Sequence, residues 1–195
     1  MGKPTGFLEF RREGIAQRSP AERVDWEESH PDGRFLSAAG RNVVVIGGGE
    51  TGTDCVETAV RHGAAGVVQL EILGRPPDRR APDNPWPQWP RLYKLDSGQE
   101  EAAALQGVDP RRYSVQPKRF VGDAEGRDRE VHIVDVEWRK GPDGRTQVHE
   151  IPETERVIPA ELVLLALGFL GPKRPGMVQE LGIKLDEGGN VVTDA

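Results

Sequence analysis

The sequence predicts a three-layer α/β fold: a small parallel sheet, helices against it, and an antiparallel β-meander packed on it. Three observations carry that expectation. Val43-Val44-Val45-Ile46 is an unbroken β-branched run, the pattern of a strand buried on both faces. A glycine-rich segment, a stretch with helical spacing and a second apolar run (67–73) follow at once, making a β–loop–α–β unit of about 30 residues. Farther on, three shorter strand-like segments alternate with glycine-containing turns, as a meander requires. A length of 195 residues suits one domain with a tail, and 24 glycines with 16 prolines exclude a simple helical bundle.

In chain order, residues 1–35 read as an arm or linker and 36–195 as one domain. The arm is charged, with scattered Phe7, Leu8, Phe10 and Trp26. A short helix is expected at about 20–29, because Ser19-Pro20 can cap and start it and Glu22 sits at the capping-box position. After the first strand, a helix over 53–62 places Cys55, Val56, Ala59 and Val60 on one face, and Gly63 stands where a left-handed cap would end it. The prolines between Gly74 and Pro90 preclude regular structure. A short helix is expected at 99–105. Meander strands are expected at 113–121, 130–139 and 146–151. Gly122 to Gly126 and Gly141 to Gly144 form the turns between them. The apolar run 162–167 should rejoin the parallel sheet and end at Gly168. A helix at 178–181 and a turn at Gly188-Gly189 close the chain.

The segment Gly47-Gly48-Gly49-Glu50-Thr51-Gly52 matches a GxGxxG fingerprint in its required setting, strand before and helix after. Gly47 allows the tight turn, Gly49 lets a diphosphate approach the backbone, and Gly52 lets the helix pack on the strand. Unpaired N–H groups and the positive end of the helix dipole favour the anion. The unit is therefore Rossmann-like and expected to bind NAD(P), with Glu50 and Thr51 beside the phosphates. An acid near the end of the second strand would suit a ribose 2′-OH. Glu71 lies there, but two apolar residues follow it, and it reads as a partner within the sheet. Beyond the strand come Arg75, Arg79 and Arg80. A guanidinium fork suits a 2′-phosphate. NADPH is thus expected over NADH, with Arg75 and Arg80 as the ligands and Arg79 as the substitute.

Other residues carry less. Cys55 reads as packing on the helix's apolar face, and His62 as a partner of the helix C-terminus. Trp86 and Trp89, set among prolines, form either a partner-binding loop or a sheet-edge cover. No histidine pair has metal-ligand spacing, and no nucleophile–base set is legible. A single cysteine leaves no internal disulfide and no cysteine-only metal site. A net charge of −6 offers no broad basic field for nucleic acid or an anionic membrane. No apolar stretch reaches the roughly 18 residues of a spanning helix. The expected compartment is the cytoplasm.

Several segments carry a family resemblance. Gly47 through Cys55 (GGGETGTDC), Gln69 through Leu73 with Arg75-Pro76-Pro77, Ala81 through Arg91 (APDNPWPQWPR), Ala160 through Pro172 (AELVLLALGFLGP) and the opening MGKPTGFLEF together resemble the small (β) subunit of NADPH-dependent glutamate synthase. The resemblance covers about 1–28 and 36–195. It implies an NADPH domain set within a flavin domain, hydride transfer from NADPH to FAD, iron–sulfur clusters beyond, and a large subunit that makes glutamate from glutamine and 2-oxoglutarate. Gly168, in the stretch that resembles the family's closing strand and its turn, is expected among the cofactor-binding residues. Glu50 stands where the family has Asp. The cluster cysteines, the flavin-binding glycine loop and the closing flavin segment are not found in this sequence. The expectation is therefore an internally deleted or truncated form that keeps NADPH binding. Alternatives are a non-catalytic nucleotide-binding or subunit-interaction remnant, and a reductase that borrows FAD from another chain. An apolar face left by a missing flavin domain would favour self-association.

Overall fold

The computed structural model describes residues 36–142, 144–168 and 171–193. The arm, with the helix expected at 20–29, lies outside them. The chain runs through β1 (Asn42–Ile46), α1 (Glu50–Arg61), β2 (Gly66–Glu71), α2 (Ser97–Gln106), β3 (Arg111–Tyr113), β4 (Val115–Gly122), β5 (Asp128–Lys140), β6 (Thr146–Glu150), β7 (Arg156–Pro159) and β8 (Leu162–Leu165).

Four strands form a parallel sheet in the order β3-β2-β1-β8. β1 lies at its interior, paired with β2 from Asn42↔Gly66 to Ile46↔Leu70 and with β8 from Val43↔Leu162 to Ile46↔Leu165. This explains the unbroken apolar run, since both faces of β1 are covered. Val43 and Val45 join Val56 and Ala59 of α1 and Ala102 of α2 in one core. Val44 and Ile46 join Val131 and Ile133 of β5 and Ile158 of β7 in the other. The layers are thus helices, parallel sheet and antiparallel meander. Within the meander, β5 is the hub: β4 pairs along its first part, and β6 and β7 pair with successive parts of its other edge.

The expected strand at 113–121 is two strands in two sheets. β3 pairs parallel with β2, and β4 pairs antiparallel with β5. Ser114 divides them at φ +54°, a left-handed conformation that no strand can continue through. Its N–H and C=O bond to Leu73 O and Val136 N at 3.0 and 2.8 Å, stitching the two sheets together. Strand β7 was not expected at all. α1 begins three residues before the expected 53, because the glycine loop itself provides the helix start. α2 spans Ser97–Gln106 and ends at Gly107, φ +75°. The helix expected at 178–181 is a single turn, closed by the Leu181 N–H on Met177 O at 3.0 Å, and it follows an irregular stretch at Arg174–Val178.

Candidate dinucleotide site

The glycine loop leaves β1 at its carboxyl end, and each glycine meets a different demand. Gly47 has φ +124°, and a Cβ there would lie 2.1 Å from Ala166 O, just past β8. Its N–H bonds Leu70 O at 2.9 Å, which ties the turn to β2. Gly52 is buried in α1, and a Cβ would lie 2.2 Å from Gly47 O and 2.7 Å from Gln69 Nε2. These two positions are closed by the protein's own backbone. Gly49 differs: it is the N-cap of α1, no side chain caps the helix there, and a Cβ would meet nothing within 4 Å. The first turn of a helix leaves its N–H groups without intrahelical partners. Here that turn, with Glu50 and Thr51, faces solvent.

A buried polar chain braces this loop. Gln69, fully buried in β2, donates from Nε2 to Gly47 O at 2.9 Å. Its Oε1 accepts from Gln99 Nε2 at 3.0 Å, which also donates to Thr53 Oγ1 at 2.8 Å. Gln99 Oε1 in turn accepts the Asp96 N–H at the start of α2, at 3.1 Å. The loop, β2, α1 and α2 are therefore locked by three side chains. Gln69, Gln99 and Thr53 went unnoticed in the sequence. A lone glutamine inside an apolar strand run was the available signal, because a buried amide must find partners.

Glu71 ends β2 beside the loop. Its Oε1 accepts the Leu73 N–H at 2.7 Å, and Oε2 lies against Gly48, where a Cβ would come within 1.9 Å of it. Arg75 follows, with its guanidinium 3.7 Å from the Tyr93 ring centre and Nη2 2.7 Å from Asp78 Oδ1. The Asp78 hydrogen bond raises the Arg75 pKa, and the Arg75 hydrogen bond lowers that of Asp78. Tyr93 is itself held: its OH donates to Asp109 Oδ2 at 2.5 Å, and Arg111 lies 4.7 Å from its ring centre. Arg80 is used differently, donating from Nη1 to the carbonyls of Asn84 and Gln88 at 3.0 and 3.2 Å. Arg79 is exposed, with no partner among the described residues. The structure thus gathers residues 47–52, Glu71 and the end of β8 into one mouth, while Arg75 and Arg80 are held by different partners. Gly168 is exposed at φ +72° in open space beyond β8. Trp86 and Trp89 are 82% and 78% exposed, so they do not cover a sheet edge. A cavity of ≈ 100 Å³ between α1 and α2, lined by Val60, Gly66, Ala102 and Leu105, sits at the opposite end of the sheet from the loop.

Known proteins share both sequence and fold. The chain is 40% identical over 157 residues to the small chain of the NADPH glutamate synthase of Bacillus subtilis, covering 80% of this chain and 32% of that one. Over this stretch the chain is similar to the small chains of NADPH glutamate synthases. It is also 50% identical over 142 residues to the NADH glutamate synthase of Schizosaccharomyces pombe, covering 73% of this chain and 7% of that protein. It therefore spans about a third of these bacterial small chains and a small fraction of the yeast enzymes. No family model matches the chain. Among solved structures, the Mycobacterium tuberculosis oxidoreductase FprA, described with a covalently modified NADP+, superposes with a TM-score of 0.51 at 16% identity. That match covers 89% of this chain and 48% of FprA. What the two share is the Rossmann-like α/β fold.

Proposed function

We propose that residues 36–195 are the dinucleotide-binding domain of an oxidoreductase of the glutamate synthase type, and that the loop Gly47–Gly52 holds the diphosphate of NADPH. The observation that carries this reading is Gly49: an uncapped helix start, with open space where a side chain would stand. The N–H groups of the first turn of α1 would take the diphosphate, and Thr51 and Glu50 would flank it. Arg75, its plane set by Tyr93, would take the 2′-phosphate on giving up Asp78, with Arg80 or Arg79 assisting. Gly168 would border the site from the β8 side. The bound dinucleotide would supply a hydride, and the protein would contribute binding and orientation.

The family resemblance suggests the wider setting, in which the hydride would pass to FAD and the electrons would reach a large subunit that makes glutamate from glutamine and 2-oxoglutarate. A cysteine-ligated cluster does not fit the residues present. Cys55 is the sole cysteine and packs against the helix-side core. The chain would therefore act with flavin and cluster segments held elsewhere, and the large subunit is the proposed partner.

Isothermal calorimetry with NADPH tests the reading. Binding is expected in the wild type. The double variant Arg75→Ala, Arg80→Ala should lose about 1–2 kcal/mol for NADPH, a charge-assisted bond less the exposed Asp78 pairing it displaces. Absence of NADPH and NADH binding to the wild type would overturn the proposal.

A further inference from the structure

The mouth of the loop holds a carboxylate as well as a guanidinium. Glu71 sits at the carboxyl end of β2, one strand over from the glycine turn. Its position is fixed from two sides: Leu73 N–H holds Oε1 at 2.7 Å, and the carboxylate packs on the side-chain-free face of Gly48. Gly48 is exposed, so the pair stands at the entrance rather than inside the sheet. In a βαβ unit that binds a dinucleotide, the adenosine ribose lies at this place, and a carboxylate there accepts its 2′-OH. A 2′-phosphate in the same place would meet like charge. The competing group, Arg75, has its fork engaged by Asp78 at 2.7 Å. An unphosphorylated ribose thus finds its acceptor ready, while a phosphorylated one must displace a carboxylate and approach another.

We propose that Glu71 is a specificity-determining residue: its carboxylate accepts the ribose 2′-OH, and the site takes NADH as well as NADPH. This rests on the dinucleotide reading above and departs from the sequence-based expectation that Glu71 serves only the sheet. The balance between Glu71 and Arg75 then sets the preference.

The test is calorimetry on the full chain with NADH and NADPH in parallel, for wild type, Glu71→Gln and Arg75→Ala. The wild type should bind both, with dissociation constants within about tenfold of each other. Glu71→Gln keeps the shape and an oxygen for Leu73 N–H but removes the charge. It should weaken NADH about fivefold, as a charge-assisted bond becomes a neutral one, and leave NADPH unchanged or tighter. Arg75→Ala should move the ratio the other way. A merely structural role for Glu71 would change both affinities alike, so equal changes, or none, overturn the proposal. So does a wild type that binds NADPH alone, which leaves the dinucleotide reading intact. A wild type that binds neither defeats that reading and this one together. Thermal midpoints of the variants identify any loss of folding.

Discussion

Gly49→Ala and Gly52→Ala add the same methyl three residues apart, and the structure gives them opposite consequences. At Gly52 the new Cβ would sit 2.2 Å from Gly47 O, a backbone atom, and 2.7 Å from Gln69 Nε2. Relief requires α1 to lift from the loop. Overpacking of this kind costs about 1–3 kcal/mol, and contact with backbone on one side places it at the upper end. For a chain of this size each kcal/mol moves the thermal midpoint by about 2–4 °C, so a fall of roughly 6–12 °C is expected. At Gly49 the methyl enters open space at φ −80°, which any residue adopts. The cost there is the modest one of alanine at an N-cap, about 1 kcal/mol or less. That methyl does, however, stand where the diphosphate must approach, so NADPH affinity should fall more than about tenfold. Circular dichroism melts and calorimetry on the two variants decide the matter. A Gly49→Ala protein that binds NADPH like wild type, or one that melts as early as Gly52→Ala, would refute the division of roles among the glycines.

Gln99→Leu should cost about 1–3 kcal/mol by leaving Gln69 Oε1 and the Asp96 N–H without their partner, read as a lowered chemical denaturation midpoint. Trp86→Ala should leave stability within about 0.5 kcal/mol, since the ring is 82% exposed, as a melt will show. For Asp109, partial burial works against ionisation, but bonds from Arg111 and Tyr93 outweigh it and hold its pKa below the ordinary value. A depressed carboxylate stabilises the fold above the unfolded pKa, about 3.9, and that contribution is lost as pH falls through the folded value. Melts below about pH 4 should therefore show a steeper loss of stability in wild type than in Asp109→Asn.

The parallel core was legible because its signals are local and strong. A continuous β-branched run and a glycine fingerprint with a strand before it and a helix after it leave few alternatives. The meander was legible as a class but not in its seams. Val115 follows Tyr113 by two residues and both suit a strand, so nothing in the composition marks Ser114 as the point where the chain changes sheets. β7 is four residues long, carries Arg156 and Pro159, and owes its existence to pairing with β5. Such short edge strands are specified by tertiary contact rather than by propensity. At the site, the glycines were readable from spacing. The bracing by Gln69 and Gln99 was not, because it joins residues 30 apart through side chains alone. The arginines were found, but their present partners, Asp78 for Arg75 and the loop carbonyls for Arg80, depend on how the proline segment folds back.

The late arrival of β8 shapes how this molecule comes into being. Asn42, at the start of the first strand, is clasped through its N–H and its side-chain amide by Glu161, 119 residues downstream. Ala166 supplies the wall against which Gly47 turns. During synthesis β1 must therefore wait, unsealed on one flank, until the chain as far as Ala166 has left the ribosome. Closing so wide a loop is entropically slow. A chaperone that shields the bare edge of β1 in that interval would guard the very strand from which the nucleotide loop springs.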